Sequence, residues 1–411
     1  MKIINFKFLG KIASFLMLFL FLIITSCDND INDVESDVIK DGDGELYSSD
    51  STIKAGGGSG TEGQGNGNNS GLVTAGEWND LNNWDFWTNI LNENDYFKHV
   101  DYWSFYTKNR ISVLLKNNNT PVINAVVELK LNNEIVWKSM TDNLGKTELF
   151  IGLYNNEIVS DLSNYKLFIN NVEKSTTLKF KSDGDVEIEV GNSQNNSSNK
   201  VELAFIVDAT GSMSDELEFL KDDLKDVIER VEQNNSTLDV LTGTVFYRDI
   251  DDEYLVKSSG FSGDISYTLN YINEQSASGG GDFPEAVHTA LNEAINELQW
   301  STNSKTRIAF LLLDAPPHYT PEIVDNLHNL ISKSAEKGIK IIPITASGIN
   351  KETEFLMRFF SVSTNGTYVF ITNDSGIGNE HLEASVGEYE VENLNDLLVR
   401  LIDKYSNSAS F

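Results

Sequence analysis

Three short segments place oxygen donors where apolar runs end. In "FIVDATGSMSDELEFL" (Phe205–Leu220), Asp208 closes a strand-like stretch and Thr210, Ser212 and Ser214 follow before an acidic helix pattern begins. "SASGGGDFPEAV" (Ser276–Val287) brings Asp282 to the start of another helix, and "LLLDAPPHY" (Leu311–Tyr319) ends a strand on Asp314. Three carboxylates beside two or three hydroxyls form an all-oxygen donor set, the kind that hard cations such as Mg²⁺ or Ca²⁺ prefer. Histidines are few and the single cysteine is Cys27, so zinc is a poor fit. "FYRD" adds Asp249, which with Ser214, Phe283 and His318 reads as the rim of such a site. A plainer reading stands beside it: Ser212 or Ser214 caps the helix near Asp215, and Ser212-x-x-Asp215 fits a capping box.

The elements that must position these donors follow from the change of period near Asn199. Apolar runs "VELAFIVD", "DVLTGTVFYR", "TRIAFLLLD", "IKIIPITAS" and "TYVFIT" alternate with helical patterns at 215–233, 265–274, 284–298, 321–337, 351–360 and 394–405. Fully apolar strands between amphipathic helices predict a doubly wound, Rossmann-like, mostly parallel sheet over 199–406. Ligands of such folds bind outside the carboxyl ends of the strands, where Asp208 and Asp314 fall. Before it, residues 109–194 read as a small all-β sandwich, with strands "RISVLLKN", "INAVVELKL", "EIVWKSMT", "KTELFIGL", "YKLFIN", "STTLKFK" and "DVEIEVG". An aromatic-rich segment at 75–108 holds Trp78, Trp84, Trp87 and Trp103; ring packing onto the neighbouring domain is favoured over a glycan site.

The formal charge of −31 argues against nucleic acid, whose phosphates need Lys and Arg. Lys2, Lys7 and Lys11 precede an apolar stretch, Ile12–Ile24, with the layout of a secretory signal. "ITSC" (Ile24–Cys27) resembles the lipobox of bacterial lipoproteins, which implies a signal peptide over 1–26 and lipidation of Cys27. Residues 27–74, including "KAGGGSGTEGQGNGNNSG", read as a disordered tether on that anchor. The acidic run "DNDINDVESD" resembles surface-export signals of some Gram-negative lipoproteins, so the expected location is the cell envelope, at the outer membrane or cell surface.

Asp208-x-Thr210-x-Ser212 after an apolar strand resembles the DxSxS-type motif of von Willebrand factor type A (VWA) domains. "VDATGSM", "YRD", "GGGDFPEAV" and "LLLDAPPH" together resemble the subgroup with alpha-kinase-like and hemicentin-like A domains. "TPVINAVVELKL…TDNLGKTELFI" is similar to carboxypeptidase-regulatory-like or Ig-like modules. The VWA resemblance implies a metal-ion-dependent adhesion site holding Mg²⁺, or Ca²⁺ or Mn²⁺. Thr210 and Ser212 would touch the ion, and Asp208 and Asp314 would act directly or through water. One position would stay open for an acidic group of a protein or matrix partner. Many A domains carry a threonine in the Gly-rich loop where this chain has Gly281-Asp282, and Asp282 could supply that oxygen. The resemblance implies adhesion rather than catalysis. A structural subunit of an envelope assembly is the alternative. A serine hydrolase using Ser212, Asp314 and His318 has the right residue order but lacks the Gly-x-Ser-x-Gly elbow.

Overall fold

The computed structural model describes residues 71–191, 198–234, 236–378 and 380–407. The expected signal, Cys27 and the tether up to residue 70 lie outside them. In chain order, β1 (Thr74–Trp78), α1 (Trp84–Ile90) and α2 (Asn94–Trp103) come first. Then follow β2 (Asn109–Asn117), β3 (Thr120–Pro121), β4 (Val126–Leu131), β5 (Glu134–Met140), β6 (Lys146–Ile151), β7 (Tyr165–Ile169), β8 (Val172–Lys174) and β9 (Val186–Glu189). The α/β part holds β10 (Lys200–Asp208), α3 (Ser214–Asn234), β11 (Asp239–Tyr247), β12 (Val256–Ser262), α4 (Ile265–Asn273) and α5 (Val287–Asn292). It continues with β13 (Thr306–Leu313), α6 (Pro321–Lys337), β14 (Ile339–Thr345), α7 (Lys351–Ser363), β15 (Tyr368–Ile371), β16 (Glu392–Asn393) and α8 (Leu394–Ser406).

The large sheet runs β12-β11-β10-β13-β14-β15-β1-β16. Its five central strands are parallel, and β12 and β1 pair antiparallel at the two sides. In β10, Leu203, Phe205 and Val207 enter one hydrophobic core while Ala204 and Ile206 enter the other. Both faces of the strand are therefore covered, which is why it reads as an unbroken apolar run. The α6 boundaries match local chemistry: Thr320 accepts from the Ile323 N–H at the start, Pro321 opens the helix, and Gly338 closes it in the left-handed region.

The sandwich comprises the sheets β3-β2-β6, with β9 beside β2, and β5-β4-β7-β8. Three of its hairpins turn on paired asparagines: Asn118-Asn119, Asn132-Asn133 and Asn170-Asn171 all have positive φ, as a type I′ turn requires. One expected strand is not there: residues 175–181 pair with nothing in these sheets. Their alternation of Thr, Leu and Phe satisfies the period-2 pattern, but alternation alone does not supply a ladder partner.

The sequence reading began the α/β domain at 199, yet its sheet also takes β1 from the aromatic-rich segment. A five-residue strand containing Gly76 shows too little periodicity to stand out. The tryptophans that follow pack rather than present themselves. Trp87 and Trp103 are fully buried, Trp87 stacks on Phe355 of α7, and Phe105 stacks on Phe359 at 3.9 Å. Arg358 of α7 fixes this arrangement, its Nε and Nη2 donating to Asp80 at 2.9 and 2.6 Å with both side chains fully buried. Asp80→Ala leaves that guanidinium without its fork partner and is expected to cost about 3–5 kcal/mol in denaturant unfolding; a loss under about 1 kcal/mol would show that the pair does not hold the segment.

Candidate functional site

Asp208 ends β10 at zero exposure, and the chain turns at once. Its Oδ1 accepts from the Thr210 backbone N–H at 2.9 Å and from Thr210 Oγ1 at 2.7 Å. Thr210 Oγ1 meets Ser212 Oγ at 3.2 Å, which sets the two hydroxyls side by side. Gly211–Met213 forms a single 3₁₀ turn that runs directly into α3. Ser214 therefore already has helical angles, φ −57° and ψ −37°, and does not sit at the extended position of an N-cap. The capping reading of this serine is thereby corrected.

The Gly-rich loop lies on this turn. Ser278 N–H donates to Ala209 O and Gly211 N–H to Gly279 O, both at 3.0 Å. Gly279 and Gly280 have φ of +85° and +73°, and a Cβ on Gly280 would stand 3.3 Å from Thr210 Cβ and 2.9 Å from Glu285 Oε1. Only glycine allows both the left-handed backbone and this approach. Arg248 joins the two segments, donating to Ala209 O at 3.2 Å and to Ser276 O at 2.8 Å. The loop leading into α5 is then laced to the Asp314 segment: Glu285 N–H donates to Pro316 O at 2.9 Å, and His318 N–H to Glu285 O at 3.3 Å.

The sequence reading missed Glu285, treating it as part of a helical core stripe from Pro284. The helix starts only at Val287 and gives way after Asn292 to a π turn over Glu293–Glu297. Glu285 thus lies in the loop, 3% exposed. Burial pushes its carboxyl up to about 9, and the charges that add to the shift are Asp208, Asp249, Asp314 and Asp252, all negative. Burial likewise raises Asp208, with the charge of Asp314 adding to it. Asp314 is also raised by burial, with the Ser212 hydroxyl opposing and Glu216 contributing. Asp208 Oδ2, Glu285 Oε2 and Asp314 Oδ1 are buried and have no hydrogen-bond partner.

Asp282 is placed differently. It is exposed, and its carboxylate groups with Asp249 and His318, one ligand atom from each lying within 4.8 Å of the others. His318 Nε2 meets Asp249 Oδ1 at 2.7 Å. This contact engages the histidine that a hydrolase would aim at Ser212, whose hydroxyl meets Thr210. Phe283 is 45% exposed and Ile250 55%, so large apolar side chains flank the polar centre.

The donor chemistry fits a hard divalent cation: carboxylate oxygens without hydrogen-bond partners and two hydroxyls lie on adjoining segments, with neither thiol nor imidazole among Asp208, Thr210, Ser212, Glu285 and Asp314.

The α/β part of the chain matches a known family. Residues 202–377 match the family model described as von Willebrand factor A domain, and the chain thus contains a VWA domain there. It is 35% identical over 126 residues to an ariadne-like RING finger protein of Acanthamoeba polyphaga mimivirus, covering 31% of this chain and 12% of that protein. It is 35% identical over 121 residues to the alpha-protein kinase vwkA of Dictyostelium discoideum, covering 29% of this chain and 19% of that one. The match spans less than a fifth of either relative. Among solved structures, an aerotolerance-related membrane protein from Bacteroides fragilis matches with a TM-score of 0.35 and 13% identity, over 50% of this chain and 99% of that one. BatB from Bacteroides thetaiotaomicron matches with 0.35 and 14%, over 50% and 98%.

A carboxyl raised in the folded state stabilises it below the unfolded pKa, and that contribution is lost as pH rises through the folded value. In chelator, the folded chain is therefore expected to lose stability between about pH 4.5 and 9, the window set by Glu285. Glu285→Gln should remove the part of that slope above about pH 7, where the raised Asp208 and Asp314 no longer contribute, and Mg²⁺ should restore stability at the alkaline end. A flat profile in chelator, read by thermal melts across this range, would contradict the assignment.

Proposed function

We propose that the VWA domain captures a partner through a divalent cation held by Asp208, Thr210, Ser212 and Asp314, with Glu285 on the adjoining loop. The observation that carries this reading is the set of buried carboxylates with orphaned oxygens, whose neighbouring charges at Glu285 are all negative. A bound cation, Mg²⁺ or its congeners Ca²⁺ and Mn²⁺, would neutralise that charge and offer an open coordination position to an acidic side chain. The chain's own residues do the remainder. Asp208 and Thr210 hold the turn rigid, the Gly-rich loop presses on it, and Ser212 presents an exposed hydroxyl. Asp282, with Asp249 and His318, forms a polar rim, and Phe283 and Ile250 give apolar contact to a partner bearing a carboxylate. With the lipobox-like Cys27 and the Gly/Asn/Ser-rich tether, the reading is of a lipid-anchored envelope protein that presents this domain to protein or matrix ligands.

Pull-down from cell-envelope and matrix fractions tests the proposal. A partner retained in Mg²⁺ should be released by EDTA and absent with Asp208→Ala, while circular dichroism shows that variant folded. Retention in excess EDTA contradicts cation-mediated capture. Metal-dependent melting without any metal-dependent partner favours a structural role for the ion.

A further inference from the structure

The chain has 31 Lys and Arg against 62 Asp and Glu, so a groove that gathers four cations around one carboxylate runs against its composition. Such a groove lies between the sandwich and the α/β domain, at the end of β13 opposite Asp314. Its cavity, about 490 Å³, is lined by Lys138 of β5, Arg307 of β13, Lys333, Glu336 and Lys337 of α6, and by Trp300 and Met140. The volume falls in the usual range for a small-molecule site.

Arg307 is the built part of it. The residue is 3% exposed, its Nε donates to Ser301 O at 2.8 Å and its Nη1 to Asn124 Oδ1 at 3.1 Å. Its Nη2 is buried and has no partner. Glu202 is the one acidic group that acts on it, but that carboxylate already accepts from Ser301 N–H, Ser301 Oγ and Ser304 Oγ. Burial lowers the guanidinium to about 10, the mark of a charge short of compensation. Lys138 is paired with Glu336 at 2.7 Å. Lys337 Nζ donates only to the neutral Ile295 O at 2.6 Å, and Lys333 Nζ to Asn296 Oδ1 at 3.3 Å. Among the described residues neither of these two ammonium groups forms an ion pair, and the charge of Lys333 helps lower Lys337 after burial.

We propose that this groove binds a phosphate monoester, with the phosphate among Arg307, Lys333 and Lys337 and the apolar body of the ligand against Trp300 and Met140. Arg307 has one guanidinium nitrogen left to give, so the bidentate fork that favours a planar carboxylate is not available. Lysine ammonium groups act as point charges and suit a tetrahedral dianion. The apolar wall distinguishes an ester from inorganic phosphate. The inference is independent of the metal-site reading.

Calorimetric titration of the whole chain in EDTA, which removes any metal-bound phosphate, tests it with phenyl phosphate, inorganic phosphate and benzoate. Phenyl phosphate is expected to bind at least about tenfold more tightly than either other probe, and Lys333→Ala and Lys337→Ala are each expected to weaken it about tenfold. Arg307→Gln should abolish binding, but Arg307 also ties Asn124 to Ser301 and its loss could unfold the groove, so the two lysines carry the test. No saturable binding of phenyl phosphate at about 10 mM would overturn the proposal. So would equal affinity for benzoate or inorganic phosphate, or an affinity that both lysine variants leave unchanged.

Discussion

A carboxylate taken out of water loses hydration that only a hydrogen bond, a cation or a proton can replace. At the carboxyl end of this parallel sheet, Asp208, Glu285 and Asp314 are all buried, and each keeps an oxygen without a hydrogen-bond partner. Their mutual repulsion is built into the fold. Asp208 and Asp314 end neighbouring strands, β10 and β13, and Glu285 is held against the Asp314 segment by the backbone bridge to Pro317. Relief of that repulsion by a divalent ion links the local chemistry to the function proposed for the domain.

The rest of the structure can be seen as what keeps those groups from moving apart. Parallel pairing of β10 with β11 and β13 over most of their lengths fixes the ends of the strands. Hydrophobic cores on both faces prevent the sheet from sliding. One of those cores continues through α7 into the tryptophans of α1 and α2 and into the sandwich, so the β-module is fused to the α/β domain and shares its interior. The contact between these modules also creates the cationic groove, which neither could form alone.

Much of the centre was legible because strand-terminal residues announce themselves. Asp208 and Asp314 close unbroken apolar runs, and Thr210 and Ser212 follow within one turn. Glu285 was hidden because its neighbours, Pro284 and the apolar positions from Ala286 onward, imitate a helix start, and periodicity assigns such a residue to the helix. The signal that marks it is the preceding Gly279-Gly280 pair, whose left-handed angles carry the loop into the site before the helix begins. Antiparallel strands at the two sides of the sheet were the other blind spot. β1, with Gly76, owes its pairing to the distant β15, and β12, rich in serine, to its return alongside β11, not to any pattern of their own. Residues 175–181 show the converse, a pattern without a partner. Arg307, buried at the module boundary, reads in sequence as an ordinary strand residue, since its unusual surroundings arise only when the modules meet.

The central claim is that the buried carboxylates form one cation site. Crystals soaked in Mn²⁺ and measured for anomalous scattering test this directly. The account predicts one strong peak bounded by Ser212, Asp208 and Asp314, lost in an Asp314→Ala crystal grown and soaked in the same way. No peak there, or a peak confined to Asp249, Asp282 and His318, would contradict it.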